Sequence, residues 1–261
     1  MTQRAWSLAG YLSGELAGQG AGNPSAIVPA LPGGILPLVL WDARVGVGLN
    51  GGAVTTWTDQ IRALTLSDNG ATTRPAYAAD GGNFMSQPVI QFDGVNDTLQ
   101  NVGFAPLLFV DGTLPLTWFY VCRLRTNIAS EQAMWSCVDN PVSETSPIAA
   151  RQAGTGLLTH WWFPSGITAG NPDPGTVVHM ITAAVDVAGV ARDTVDGVAT
   201  GNNLPSTSAR GTNAASVYVG NDRLASFATL SIAALGCYAT ELTAPQLAAL
   251  RAYYQATWGA P

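Results

Sequence analysis

Short apolar runs separated by Gly, Pro, Asn and Asp constrain this chain more than any other sequence feature. From Ile35 onward these runs alternate with turn signals such as Asn50-Gly51-Gly52, Asp93-Gly94 and Asp196-Gly197. Runs of this length suit strands joined by tight turns and do not suit a helical bundle. Glycine and proline together supply 45 of the 261 residues, against a usual share of about 12%. The chain is therefore predicted to be all-β.

The segment Leu116–Leu124 indicates how the strands are layered. Its residues alternate between a face with Trp118 and Tyr120 and a face with Phe119 and Val121. Because both faces are apolar, both are expected to be covered, as in a two-sheet antiparallel β-sandwich. The other predicted strands are Leu36–Asp42, Ala53–Thr58, Pro88–Phe92, Met134–Val138, Ile148–Arg151, Leu157–Phe163, Val177–Val187, Val190–Val195, Ser216–Val219 and Ser231–Tyr238.

One short helix is predicted at the C-terminus. Thr243 and Gln246 fit a capping box, in which the N-cap residue and the residue three positions later bond each other's backbone. Apolar residues then recur at helical spacing up to Trp258, and Gly259 follows as a stop. This helix is expected to pack on the sandwich through Leu247, Leu250, Tyr254 and Trp258.

The N-terminal segment differs in composition from the rest of the chain. Residues 16–41 carry no charge, but four prolines and five glycines within this stretch are incompatible with a bilayer helix. We therefore predict no membrane insertion. Residues 1–36 are interpreted as an extended arm that packs along the domain or docks onto a partner, and residues 37–261 as the sandwich domain.

Charge and cysteine content exclude several functional classes. The net charge is −6, all eleven basic residues are arginine, and no basic stripe is visible, so nucleic-acid binding is disfavoured. Cys122, Cys137 and Cys237 are widely spaced and lack a CxxC pair or a histidine cluster, which argues against a zinc site. They are predicted to be buried small hydrophobes.

Several segments carry a family resemblance. These are Leu40–Ala43, Val54–Asp59, Arg74–Tyr77, Pro88–Leu99, Val217–Gly220, Ser231–Tyr238 and the terminal run Tyr253–Gly259. Together they resemble the concanavalin A-like lectin/glucanase superfamily, and within it the laminin-G-like jelly rolls of bacteria and their phages. The resemblance implies a jelly-roll sandwich, and most often a glycan-binding or adhesion module.

Catalysis is not expected. The glucanase branch of that family carries closely spaced carboxylates on one strand, whereas Glu15, Glu131, Glu144 and Glu241 form no such pattern here. Glycoside hydrolysis normally needs two carboxylates facing one bond. Two alternatives stay open: a secreted or cell-surface bacterial lectin-like module, and a glycoside hydrolase or lyase of the same fold.

The most suggestive binding residues are aromatic. Trp161 and Trp162 are adjacent, so on a strand one faces the core and the other faces outward, where an indole can stack on a sugar ring. The alternative is that both indoles are buried, one by the second sheet and the other by a loop. Together with neighbouring polar loop residues, the candidate site comprises His160, Trp161, Trp162, Asn171, Asp173, Asn221 and Arg223.

Cofactors and partners follow from the same reasoning. No cofactor is expected, although Asp93, Asn96 and Asp97 leave calcium as an option against the simpler interpretation of a turn. The partners expected are a host-surface glycan and, through residues 1–36, other structural proteins of a virion. Virion localisation is preferred over an extracellular or cell-surface one, and a homo-oligomer is left open.

Overall fold

A computed structural model of the chain describes most of the predicted sandwich domain. The described residues are 28–29, 31–79, 81–102, 115–124, 132–138, 148–151, 158–161, 177–186, 190–199, 204–205, 216–221 and 226–260. Side chains are described for these ranges except at 102, 137–138, 148–151, 158–161, 191 and 204–205.

These residues form seventeen strands and one helix, α1, Ala244–Trp258. The strands are β1 (Val39–Asp42), β2 (Val47–Asn50), β3 (Ala53–Thr58), β4 (Thr65–Asp68), β5 (Ala76–Ala78), β6 (Val89–Asp93), β7 (Leu99–Val102), β8 (Leu116–Leu124), β9 (Gln132–Val138), β10 (Ile148–Arg151), β11 (Leu158–Trp161), β12 (Val178–Val185), β13 (Val190–Val195), β14 (Val198–Ala199), β15 (Leu204–Pro205), β16 (Ser216–Val219) and β17 (Thr229–Tyr238).

The strands make two layers, and every strand-to-strand pairing is antiparallel. Sheet I has the order β17, β8, β12, β13, and β6 and β1 follow each other end to end along the other edge of β17. Sheet II has the order β2, β3, β4, β7, β16, β9, β10, β11. The short strand β5 pairs with both β3 and β6 and so joins the sheets at one side. The predicted all-β antiparallel sandwich is confirmed.

Two close approaches show how the sheets lie over each other. Trp118 on β8 stacks on Trp135 on β9, with ring centroids 4.5 Å apart. A Cβ placed on Gly220, just after β16, would lie 2.0 Å from the Phe92 ring on β6. Because β6 therefore faces β16, the remaining strands of the two sheets run outward in the same direction from the tryptophan stack.

The longest strand needs a bulge to keep its apolar residues facing the core. In β17 the pairing with β8 shifts between Ile232 and Ala234, so that Ala233 is one extra residue. Such a bulge reverses which alternate residues face inward. Leu230 and Ile232 before it, and Leu235 and Cys237 after it, all pack between the sheets.

The outer face of sheet I is covered by α1 and by the end of the N-terminal segment. Leu250, Tyr254 and Trp258 pack there against Phe119 and Val121, as the sequence predicts, while Leu247 is only partly buried and Gln246 is buried instead. Gln246 Oε1 accepts the Thr243 N–H at 2.8 Å, and its Nε2 donates to Pro32 O at 3.1 Å. Leu31 is buried on the same face, so the described end of the predicted arm packs along the domain.

The sequence prediction located most of these strands but not all. Bounds agree for β3, β8, β10, β13 and β16, whereas β1 is shorter than Leu36–Asp42 because Leu36 is exposed and unpaired in either sheet. The six strands β2, β4, β5, β7, β14 and β15 were not predicted. Trp41, Trp57, Trp118 and Trp258 are fully buried, and Cys122 and Cys237 are free and buried, as expected. The side chain of Cys137 lies outside the described residues.

Candidate functional site

The space between the sheets has two halves of different chemistry. We call the half enclosed by β1, β3, β4, β6, β7, β16 and β17 the apolar half, and the half enclosed by β8 to β13 the polar half. Inner positions of the polar half include Trp118, Trp135, Tyr120, His179 and Asp193, among apolar residues that belong to the same hydrophobic cluster as the apolar half. A concentration of polar groups within a sandwich core is unusual, because buried polar groups are costly unless they find partners. The polar half is therefore the candidate site.

Three aromatic side chains form its floor. Trp118 and Trp135 are stacked with their planes inclined by 29°, and Tyr120 meets Trp135 edge-on with centroids 6.3 Å apart. All three are fully buried. Neither indole Nε1 has a hydrogen-bond partner. Burial raises the pKa of the Tyr120 hydroxyl well above its ordinary value, with smaller contributions from Cys122 and Asp193, so Tyr120 stays neutral.

Asp193 brings a carboxylate to the inner face of sheet I. It stands opposite Ala183 in the β12–β13 register, and Ala183 packs in the core between the sheets. Since directly paired residues share one face of a sheet, Asp193 faces inward, in line with its electrostatic effect on Tyr120. Only 6% of the residue is exposed.

A histidine–aspartate pair lies at one end of the polar half. His179 Nδ1 and Asp196 Oδ2 are 2.5 Å apart, and Asp196 Oδ1 also accepts the Met180 N–H at 2.9 Å. Asp196 adopts φ of 53° in the turn after β13, a conformation that Asp tolerates better than most residues. The pair ties this turn to β12, and His179 stands opposite the buried Cys122. Burial raises the pKa of the Cys122 thiol, so it is unreactive.

The predicted residues His160 and Trp161 lie on β11, at the border of the polar half. Within the described residues β11 pairs only with β10, which makes it the edge strand of sheet II there. His160 stands opposite Ala149, and Ala149 stands opposite Trp135. Positions of His160 and Trp135 therefore share the inner face of sheet II, and the position of Trp161 is on the opposite face.

Asn221 is not part of the same cluster. It follows β16, three strands from β11, which corresponds to about 14 Å at ordinary strand spacing. Asn221 is 9% exposed, its Oδ1 has no hydrogen-bond partner, and its backbone O accepts from Ser136 Oγ. Trp162, Asn171, Asp173 and Arg223, also predicted site residues, lie outside the described residues.

The acidic cluster Asp93, Asn96 and Asp97 is a turn. Asp93 Oδ1 accepts the backbone N–H groups of Val95 and Asn96, and Asp97 Oδ2 accepts the Asp93 N–H. These bonds account for the composition of this segment without a cation. No three His, Cys, Asp or Glu side chains come together as metal ligands in the part of the chain that the structure describes. Nor does any helix there have the length and apolar character needed to cross a membrane.

Sequence reasoning missed the contributions of Asp193 and the His179–Asp196 pair. Asp193 belongs to a predicted strand, and its alternation with Val195 carried the signal that it faces inward. The pairing of His179 with Asp196 has no such local signal, because it depends on the register between β12 and the turn after β13.

Comparison with known proteins locates the fold but no family. No family model matches the chain, and no curated protein matches its sequence. Among solved structures, it is similar to Trypanosoma rangeli sialidase in complex with the inhibitor DANA, with a TM-score of 0.60 and 10% identity over 89% of this chain. It is also similar to the binding domain of botulinum neurotoxin serotype G, with a TM-score of 0.58 and 13% identity over 86% of this chain.

A third solved structure of this kind is the binding domain of Paraclostridial Mosquitocidal Protein 1, with a TM-score of 0.58, 13% identity and 84% of this chain covered. The chain spans 34% of the sialidase and about half of each toxin domain, 54% and 55%. At such identities the likeness concerns the backbone alone. It shows that this chain has the antiparallel β-sandwich fold that those proteins contain.

Proposed function

We propose that this protein is a non-enzymatic surface component of a virion, a fibre or decoration protein, whose laminin-G-like sandwich binds a host-surface carbohydrate. The observation that carries the proposal is the polar half, where a buried aromatic floor borders the edge strand with His160 and Trp161. Sugars offer hydroxyl groups to polar side chains and C–H faces to aromatic rings. A site that combines the two at a strand edge suits a glycan chain better than a compact apolar ligand.

The engagement of the described carboxylates supports a role without catalysis. Asp42 is paired with Arg44, Asp68 with Arg74 and Asp186 with Arg192. Asp59, Asp93 and Asp97 accept backbone N–H groups, and Asp196 binds His179. Hydrolysis of a glycosidic bond normally uses two carboxyl groups that are free to face the bond. Among the described residues, these groups already serve the fold.

The similar structures add support of a general kind. Trypanosoma rangeli sialidase has been solved in complex with sialic acid, and both toxin structures are binding domains. A glycan-binding role for this sandwich is compatible with its likeness to these structures. It is the chemistry of the polar half, and not the likeness, that singles out a binding site here.

Attachment to the virion is assigned to the N-terminal segment. Its described end packs on the helix-covered face through Leu31 and through Pro32 O. The residues before it are rich in Gly and Ala, carry few charges and suit docking onto another protein. Removal of residues 1–27 tests this assignment, because the truncated protein should keep glycan binding and lose incorporation into particles. Normal incorporation of the truncated protein would overturn the virion anchor.

A glycan array with the full-length protein tests carbohydrate binding, with and without added calcium and with polysaccharides of bacterial hosts. The expected result is a specific signal that Trp161→Ala or Trp162→Ala abolishes while the protein stays folded. Tyr218→Ala is the matched control, since Tyr218 is a partly buried aromatic residue on β16, three strands from β11. Release of shortened glycans would favour the hydrolase alternative, and a blank array would overturn carbohydrate binding.

A further inference from the structure

We propose that strand β2 is the contact through which two copies of this chain pair, so that their sheets II join into one continuous antiparallel sheet. The copies are related by a twofold axis at Gly48, which places Val47 of each copy opposite Leu49 of the other. This pairing goes beyond the proposed function and does not depend on it.

The first observation is that β2 is an open edge of its sheet. Among the described residues β2 pairs with β3 alone. The edge of β1 is occupied, because the Leu40 N–H donates to Asp59 Oδ1 and Leu40 O accepts the Gln60 N–H. Strand β6 is flanked by β5, and β13 is flanked by β14 and β15. An open edge is a template for pairing with another strand.

The second observation is which backbone groups this edge leaves without partners. The Thr58 N–H donates to Gly46 O at 2.9 Å, so the backbone groups of Gly46 point toward β3. The bulge between the two strands has its extra residue, Thr55, in β3, and the alternation along β2 is therefore kept. Because backbone groups alternate in direction along an antiparallel strand, those of Val47 and Leu49 point away from β3.

A second copy fits these groups in a symmetric register. With Gly48 opposite Gly48, the N–H and C=O of Val47 meet the C=O and N–H of Leu49 in the other copy, and the reverse pair does the same. Gly48 brings no side chain to the axis, where the two backbones come closest. The register also covers Leu49, which is 48% exposed in the single copy, with the Val47 side chain of the other copy.

The third observation is that the β2–β3 hairpin carries no charge. Residues 45–58 include no Asp, Glu, Lys or Arg, although the chain has a net charge of −6. Natural sheet edges are usually protected from pairing by charged side chains or proline, and β2 has neither. Two copies with the same net charge repel each other least where the surfaces in contact are uncharged. The edge therefore suits a second copy of this chain better than a charged peptide.

Pairing through β2 leaves the candidate glycan site free, because β2 and β11 are at opposite borders of sheet II. In the joined sheet the two β11 strands are at the outer ends, about 70 Å apart at ordinary strand spacing. One consequence rests on the proposed function: a dimer with two such sites binds a surface covered with glycans more tightly than a single copy does.

Sedimentation equilibrium of the full-length protein from about 1 to 500 μM tests the pairing, since one short strand per copy makes a small interface of the weak class. We expect a monomer–dimer equilibrium with a dissociation constant in the micromolar range. A protein that is monomeric at every concentration would overturn the proposal, whereas glycan binding by that monomer on the array would leave the proposed function intact.

Leu49→Pro identifies the edge that pairs. Because the Leu49 N–H points away from β3, proline removes a donor to the second copy and none within the sheet. The dissociation constant should rise by about tenfold or more. Leu36→Pro is the matched control, since Leu36 is exposed and lies outside both sheets, and its dimer should be unchanged.

Leu49→Lys gives the same test without a change in the backbone, because a lysine on an edge strand opposes pairing with another strand. It should also weaken the dimer, and its melting temperature should stay near that of the parent protein. Dimerisation that is unchanged in both Leu49 variants would mean that another surface pairs, and would overturn the assignment to β2.

Amide hydrogen exchange followed by NMR tests the register. The amides of Val47 and Leu49 should exchange more slowly in the dimer than in dilute protein, while that of Gly48, which points toward β3, should change little. Equal exchange at both concentrations in a protein that dimerises would exclude β2 as the contact.

Discussion

The two halves of the inter-sheet core use the same residue type in opposite ways. In the apolar half, Trp57 Nε1 donates to Asp42 O at 3.1 Å and Trp41 Nε1 donates to Leu64 O at 3.3 Å. In the polar half, Trp118 and Trp135 are equally buried and their indole N–H groups have no acceptor. In a core whose only role is stability, each buried hydrogen-bond donor is expected to have an acceptor. The polar half keeps the hydrogen-bonding capacity of these two indoles unused, which supports the binding site proposed for it.

The halves also differ in where they place carboxylates. The apolar half keeps Asp59 at the end of β3, where its side chain accepts the N–H groups of Leu40 and Arg62. The polar half brings Asp193 to an inner strand position, between the sheets. Carboxylates at strand ends organise turns, whereas one inside a sandwich is expensive and needs a compensating role. The comparison teaches that burial alone does not distinguish structural from functional polar groups, and that their partners do.

The sheet alignment on which this comparison depends has the largest predicted effect. Gly220→Ala should destabilise the protein by about 3 kcal/mol or more, because φ is +82° and the new Cβ would overlap the Phe92 ring. In a Phe92→Ala background, itself destabilised by about 3–5 kcal/mol, the same substitution should cost less. Urea denaturation of the four proteins measures this coupling. Strict additivity would mean that β6 does not face β16.

The His179–Asp196 pair should be a structural tie of the polar half and not part of its ligand site. Asp196→Ala removes the acceptor of two donors, the Met180 N–H and the His179 ring, and should lower stability by about 2–3 kcal/mol. Asp196→Asn keeps a hydrogen-bond acceptor and tolerates the positive φ, so this variant should lose less stability than Asp196→Ala. Thermal unfolding measures both, and equal losses would show that these hydrogen bonds contribute little.

The strands of the sandwich were predictable where the sequence pattern is local. The alternation in β8 identified its two covered faces, and Thr243, Gln246 and Gly259 identified the ends of α1. Strands β2, β4, β5, β7, β14 and β15 escaped prediction because they are short, and in β5 Ala76 is exposed while Tyr77 and Ala78 are only partly buried. Their strand conformation comes from pairing with neighbours, which a single sequence does not display.

The candidate site was predictable only in part for a related reason. Two adjacent tryptophans drew attention to β11, and that strand does border the polar half. The floor of Trp118, Trp135 and Asp193 depends on which strands pair and on how two sheets align. Trp118 was predicted as core, which its burial confirms, yet its unused N–H group is visible only when every neighbour is in place.

A matched pair of phenylalanine substitutions compares the indoles of the two halves. Trp57→Phe removes a ring volume and a hydrogen bond to Asp42 O, whereas Trp135→Phe removes a similar volume and an N–H group that has no acceptor. The first should therefore be more destabilising than the second by about 1 kcal/mol. Chemical denaturation in the absence of any glycan gives the difference. Equal costs would imply that the Trp135 N–H is satisfied, and would remove the contrast between the halves.

The smallest expected effect is a pH dependence at Asp97, which lies just before β7 in the apolar half. The pKa of Asp97 is raised from 3.8 to about 6, chiefly by burial; the hydrogen bond from the Asp93 N–H offsets part of the rise, and the charge of Asp93 adds a smaller one. The folded protein thus binds this proton more tightly than the unfolded chain does. Its contribution to stability is present below pH 3.8 and is lost as pH rises through about 6.

Asp97→Asn should remove this slope, because the amide oxygen can still accept the Asp93 N–H and has no charge to desolvate. The variant should therefore become more stable relative to the parent protein as pH increases across this interval, with a constant difference above it. Urea denaturation of both proteins through the same pH range measures the effect, and any other titrating group contributes equally to the two. A difference that does not change with pH would mean that Asp97 titrates normally, so that the apolar half carries no buried proton at this turn.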